Sequence, residues 1–374
     1  MQKKLIAMAV AGLVSGAAFA QANVTVYGIA DMSFDNVKAS GATVAGSSLA
    51  QRNRVSSNSS YLGFKGAESL GNGMTAVFQF EGTVGPDSAS GLTMNRDTFA
   101  GLAGGFGTVA MGNLTGPTRG LGAAMDPYPG ATGIGVNSAL LGKLGGERLV
   151  NAAAGTSAAT CAASTTCSSI FDTRWTNVIA YISPSFGGMN VTAAYVANEN
   201  KSSDGASGTA AQRNTWGYDV GFKYDNGPIM AALTQNQAKI GDTGSTKATD
   251  TRLGGKFKMA AFSVGLLWDR VKVESAGSTA KRTAWIIPAT FTAGPMDIIG
   301  QYGRAGDVSG TSDTGGKLAS IGVNYNLSKR TMLKAVYSQV TNETNATYDF
   351  GVNAAGAAAG ADPKGFQVGI RHSF

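Results

Sequence analysis

The feature that most constrains this chain is an alternation of period two that recurs along its whole length, with little helical periodicity beside it. In "TWGYDVGFKYD", Trp216, Tyr218, Val220, Phe222 and Tyr224 share one face, while Thr215, Gly217, Asp219, Gly221, Lys223 and Asp225 share the other. "TAVFQFE", "FSVGLLWD" and "SIGVNY" repeat the pattern. So does the closing stretch "GFQVGIRHSF", with Phe366, Val368, Ile370, His372 and Phe374 on one side and Gln367, Gly369, Arg371 and Ser373 on the other. A strand at the C-terminus needs backbone partners on both edges. The expectation is that the first strand, "NVTVYGIADMSF", pairs with it, which closes the sheet and leaves no edge.

Punctuation between the strands alternates as well. "AESLGNG", "GGFG", "SPSFGGM", "DNGP", "KMAA", "AGP" and "NLSKR" are short and rich in turn residues, and 53 glycines supply much of that chemistry. Longer polar connections such as "NENKSSDGASGTAAQ" and "GRAGDVSGTSDTGG" lie between them. Seven short turns and eight long loops make about sixteen strands. A soluble sandwich also has many short strands, but its apolar face meets a core and its polar face meets water. Here the apolar faces carry aromatics near the strand ends, and the opposite faces mix Gly, Thr, Asp, Lys and Arg. That division suits lipid outside, interfacial girdles and a wet interior. The fold class expected is therefore all-β, a transmembrane antiparallel β-barrel. His372 falls on the lipid-facing side and reads as a girdle residue rather than a base. Pro288, inside "AWIIPATF", removes a ladder hydrogen bond and predicts a bulge. Around "NRDTFAGLAG" the register is open between Arg96 and Asp97 facing inward.

The other terminus sets the compartment. Lys3 and Lys4, an apolar run from Leu5 to Ala17 and then Ala18-Phe19-Ala20 have the layout of a secretory signal peptide. Residues 1–20 are expected to be removed, leaving 21–374 as a single barrel. Cys161 and Cys167, six apart in a Ser/Thr/Ala-rich loop, are expected to form a local disulfide in an oxidising compartment. With one histidine in the chain, metal chemistry has too few ligands. The formal charge of +7 falls to about +5 without Lys3 and Lys4, and the basic residues are scattered. A nucleic-acid partner would want a basic stripe and a recognition motif; neither is present. No cofactor is implied, and calcium has no ligand-loop motif. "GLGAAM" lacks the last glycine and the strand-turn-helix setting of a dinucleotide site, so an enzyme is disfavoured.

The residues resemble those of the trimeric general porins of Gram-negative bacteria, of the beta-proteobacterial type. The resemblance rests on seven stretches in order: "VTVYGIAD", "SSYLGFKGAESLGNGMTAVFQFE", "FAGLAGGFGTVAMGN", "IAYISPSFGGMNVTAAY", "YDNGPIMAAL", "YNLSKRTMLKAVYS" and "FQVGIRHSF". It implies a homotrimer in the outer membrane, small hydrophilic solutes and ions as cargo, and a third long loop folded into the lumen, here about residues 114–172. It also implies wall arginines facing acids near that loop. Arg96 and Arg174 match the arginines. Tyr61 stands where many relatives carry a third, with Arg54 or Lys65 as substitutes. Glu81, on the polar face of its strand, and Asp126, in "MDPYPG", are the facing acids. Arg52, Arg252 and Lys256 are further candidates for positive charge in the lumen. Such opposed charges in a narrow passage focus the field and sort ions; the missing arginine predicts a mild anion preference. Phe374 is expected at the rim where the barrel closes. The competing expectation is a barrel acting mainly through its loops as an adhesin or receptor.

Overall fold

The computed structural model describes residues 24–145, 169, 171–197, 199, 216–240, 246–275 and 277–374. The leader at 1–20 and the Cys161–Cys167 pair lie outside the described residues. Eighteen strand segments form one antiparallel sheet. They are β1 Thr25–Ser40, β2 Leu49–Ser57, β3 Tyr61–Gly71, β4 Met74–Gly85, β5 Ser90–Thr93, β6 Thr98–Gly104, β7 Gly107–Leu114, β8 Trp175–Ile182 and β9 Met189–Val196. The second half holds β10 Trp216–Asn226, β11 Ile229–Ile240, β12 Thr246–Met259, β13 Phe262–Ser275, β14 Ser278–Ala293, β15 Met296–Ala305, β16 Gly316–Asn326, β17 Thr331–Asn342 and β18 Asp362–Ser373.

Two of the barrel's staves are each broken in two. β2 and β3 both pair with β1, one above the other, and β5 and β6 both pair with β4. Eighteen segments thus make sixteen staves. The ring closes as β1 pairs with β18 from Ile29↔Ser373 to Ser40↔Asp362. At the rim Gly28 and Phe374 exchange backbone bonds of 3.2 and 3.1 Å, so the last residue is tied to the first stave. The Phe374 ring lies over Gly28, where an added Cβ would come within 2.5 Å of it.

The faces divide by chemistry, and in the sense opposite to a soluble sheet. Along β16, Ile321, Val323 and Tyr325 are exposed, while Leu318, Ser320 and Asn324 are buried. Leu233, Leu253 and Phe222 stand about half exposed on the outside, yet Asp250, Arg252 and Asp269 inside are at 0%. Water on the outside would forfeit roughly 1.5–3 kcal/mol for each such apolar side chain; a lipid belt removes that cost. His372 is on the exposed side, bonded through Nδ1 to Thr331 Oγ1 at 2.8 Å.

Pro288 does not make a bulge. Its stave keeps one register across it, Val264↔Ala289 and Leu267↔Ile286 on one side and Pro288↔Gln301 on the other. The ring points inward, so the missing donor costs two residues of ladder with β13 rather than an extra residue. The uncertainty at Arg96 and Asp97 has a different resolution. Consecutive residues of a strand face opposite ways, but 94–97 are not strand at all. In that break Arg96 N bonds back to Glu81 O at 3.1 Å. Both side chains then engage inner-wall groups.

After β7 the chain turns inward. Residues 117–125 form a helix, α1 (Pro117–Met125), and two 3-10 turns follow at Pro129–Ala131 and Asn137–Ala139. Pro117 suits the first helical turn, where no N–H is needed. The N-cap Gly116 offers no side chain, so the cap comes from the wall: Asp219 on β10 accepts from Thr118 N at 3.1 Å and Thr118 Oγ1 at 2.6 Å. Pro127 disfavours a further helical turn. Leu121, Met125, Tyr128, Ile134, Val136, Leu140 and Leu141 then pack against inward residues of β11 and β13–β17, among them Met230, Leu267, Ile286, Ile299, Leu318 and Val336. The described part of the connection therefore covers one side of the inner wall and leaves the wall from β3 to β8 facing it.

Candidate functional site

The uncovered wall gathers four of the residues picked out from the sequence. Glu81 on β4 is buried and holds Arg96 at 2.5 Å and the Tyr27 hydroxyl at 3.0 Å. Arg96 lies over the Tyr61 ring, 4.3 Å from its centroid. Tyr61 thus does not leave a gap where a third arginine is absent; it packs the arginine that remains. Arg174, immediately before β8, meets Asp97 at 3.3 Å. Asp97 also accepts from Thr115 N at 2.7 Å, which fastens the start of the inserted connection to this wall.

Two further residues fall elsewhere. Asp126 does not face Arg96 and Arg174. Its carboxylate is folded into the loop, accepting from Tyr128 N at 2.8 Å and Asn137 N at 2.6 Å. Burial raises its pKa to about 7, against those two hydrogen bonds, which act to lower it. The "MDPYPG" text gave a loop acid, but a loop acid beside prolines and glycines also serves local turns. Arg54 sits at the closure seam. It is bonded to Asp35 at 3.0 Å and to the carbonyl of Ala354 at 2.9 Å, so it secures the last long connection instead of replacing the absent arginine. Arg52 and Lys256 likewise spend their donors on backbone carbonyls, of Ala355 and Ala124. Lys65 lies over Tyr27, 5.0 Å from the ring centroid. Phe374 is at the rim, 51% exposed.

Arg252 is not free lumen charge. Fully buried, it reaches Asp250 at 2.8 Å, Asp269 at 2.9 Å and Asp172 at 2.8 Å, and donates to Thr118 O at 3.2 Å. Arg282 completes the group with Asp269 at 2.6 Å and with the carbonyls of Lys143 and Leu140, each at 2.6 Å. Gln301 and Ser320 both donate to Gly135 O, at 2.6 and 2.9 Å. The covered wall is therefore a clamp: its cations and amides satisfy the carbonyls of a segment with little regular structure of its own. Inward alternation on β12–β16 was the available signal for Asp250, Arg252, Asp269, Arg282, Gln301 and Ser320; Asp172, before β8, had none.

Nothing in the pattern of "GPTRGLGAAM" singles out Arg119. Thr118, Leu121, Gly122 and Met125 are the buried side of α1. Arg119, Gly120 and Ala123 lie off that side, with Arg119 on its flank. The charges that act on Arg119 are Arg174, Asp172, Asp97 and Arg96. Burial, and next Arg174, lower its pKa to about 10, so it is a cation at neutral pH.

Comparison with known proteins agrees with this architecture. A family model described as Gram-negative porin matches residues 7–347. The chain is 32% identical to outer membrane porin protein 32 of Delftia acidovorans and 27% identical to an outer membrane porin protein of Bordetella pertussis, each aligned over 100% of both chains. Among solved structures it is similar to the anion-selective porin from Comamonas acidovorans, with a TM-score of 0.76 and 28% identity over 95% of this chain and 100% of that one. On these matches and the closed barrel, the chain belongs to the Gram-negative porin family and is an outer-membrane channel protein.

Proposed function

We propose that the chain forms a water-filled pore for passive diffusion of ions and small hydrophilic solutes, with a mild preference for anions. The observation that carries this reading is the wall of Arg96 and Arg174, with Glu81 and Asp97 in contact, opposite a helix held inside the barrel. Fixed charge on both sides of a narrow aqueous passage sorts ions by sign. Each wall arginine is paired with an acid, which supports a mild bias over a strong one. The similar Comamonas porin is described as anion-selective, and that supports the sign. Arg96, Arg174, Glu81 and Tyr61 are the constriction residues in this reading, with 114–172 as the lumenal loop. Asp126 acts only through the loop's shape. The chain works as a homotrimer after loss of residues 1–20; family membership supports both, and its apolar belt suits a neighbouring barrel as well as lipid.

The test is the reversal potential of refolded protein in a planar bilayer under a KCl gradient. Stepwise conductance with modest chloride preference is expected, and Arg174→Ser should move it toward cations. A cation-preferring wild type would overturn the sign. Absence of conductance from a demonstrably folded barrel would favour the adhesin or receptor alternative.

A further inference from the structure

We infer that Arg119, on the inserted helix, supplies the unbalanced positive charge of the constriction and is its principal anion-selecting residue. The inference rests on the pore reading above and goes beyond it by moving the deciding charge from the wall to the loop. Glu81 is in contact with Arg96 and Asp97 with Arg174, at 2.5 and 3.3 Å. Both pairs are short, so from the middle of the passage each acts as a dipole rather than a charge. Asp172, the other acid near Arg119, is held by both terminal nitrogens of Arg252, at 2.8 and 3.0 Å. The Arg119 side chain makes no hydrogen bond or ion pair with any described residue. Of the three cations that meet at this place, it alone has no acid in contact.

Position supports the same conclusion. Thr118, the preceding residue, is fixed by Asp219 and by Arg252. The helix cannot rotate without breaking those bonds, so the position of Arg119 on its flank is fixed. No atom lies within 4 Å of a Cβ added at Gly120, so the neighbouring position on that side borders open space. The guanidinium is thus tethered by a rigid turn at the edge of the passage. The solute class it favours is small anions, inorganic or carboxylate, which it meets as a point of attraction and not as a closed binding site.

The other buried ion pairs form two groups, at the closure seam and in the clamp. At the closure seam Arg54, Lys334 and Arg371 meet Asp31 and Asp35. In the clamp Arg252 and Arg282 meet Asp172, Asp250 and Asp269. These two groups are each one formal charge out of balance, in opposite senses. The inserted connection also touches both, through Thr132 on Asp31 and Thr118 under Arg252.

The experiment measures the chloride-to-potassium permeability ratio from reversal potentials for wild type, Arg119→Ser, Arg119→Lys and Arg119→Glu. One charge sets roughly half to one kT of local potential, so Arg119→Ser should lower the ratio about threefold to sevenfold. Arg119→Lys should keep the wild-type ratio, and Arg119→Glu should pass beyond Arg119→Ser into cation preference. Unchanged resistance of the loop to protease in all three shows that the helix has not moved. An anion-preferring wild type with an unaltered ratio in Arg119→Ser overturns this inference and leaves the pore reading intact. A cation-preferring wild type whose ratio still falls in Arg119→Ser overturns the sign of that reading and upholds the role of Arg119. Loss of the anion preference in Arg119→Lys as well would refute a charge-based role.

Discussion

Replacing Arg252 with methionine should release one end of the inserted connection while leaving the barrel closed. The magnitude follows from what each partner retains. Asp269 keeps Arg282 at 2.6 Å. Asp172 is 11% exposed and can turn to water. Asp250 loses its only cation: both hydrogen bonds to its Oδ2 come from Arg252, and the side chain is at 0% exposure. Stranding one member of a buried pair costs about 3–5 kcal/mol. The cost is relieved if water reaches Asp250, and the segment covering it, around Thr118 and Asp172, is not held by a strand ladder. At 1.4 kcal/mol per tenfold, the docked state of that end should weaken by roughly a hundredfold to a few thousandfold. Limited proteolysis of folded protein should show faster cutting between 117 and 172, and single-channel records should show more open-state noise. A gel assay for the heat-resistant barrel controls for closure. Adding Asp250→Asn should recover much of the loss, because removing both charges of a buried pair is often close to neutral. If Arg252→Met matched wild type in protease resistance and in noise, the clamp would not be what holds the loop.

Other outcomes can be checked in the same preparations. Gly142 has φ +65°, and a Cβ there would lie 2.3 Å from Ser169 Oγ and 2.9 Å from Arg252 Nη2; Gly142→Ala should cost about 1–2 kcal/mol from the left-handed backbone alone and give a smaller loop-release phenotype, read by proteolysis. Asp126 binds a proton more tightly in the folded loop, with its pKa raised from 3.8 to about 7. A raised carboxyl pKa means that docking weakens as pH climbs from about 4 to 7 and levels off above. Asp126→Asn should flatten that dependence in protease-resistance profiles, and a profile as steep as wild type would show that another group is responsible.

Much of this protein was written in a one-dimensional pattern. Period two, with aromatics and aliphatics on one face of nearly every strand and Gly, Asp and Arg on the other, specifies both the strands and which side meets lipid. An unfinished strand at the C-terminus pointed to closure on "NVTVYGIADMSF", and Phe374 and Gly28 are bonded there. Alternation tells inside from outside, but it says nothing about which inward groups meet. Arg174 and Asp97 are 77 positions apart, and Arg252 and Asp172 are 80 apart; stave register and loop placement bring them together. Local order misled in places for the same reason. Strict alternation allows only one of Arg96 and Asp97 to face inward, until the ladder breaks at 94–97 and frees both. Asp126 looked like a pore acid and Arg119 like nothing in particular, because a Gly- and Ala-rich connection has no periodicity to orient it. Only the tertiary structure decided these positions: the loop folds Asp126 onto Tyr128 N and Asn137 N, and the bonds of Thr118 to Asp219 and Arg252 fix which side of α1 carries Arg119.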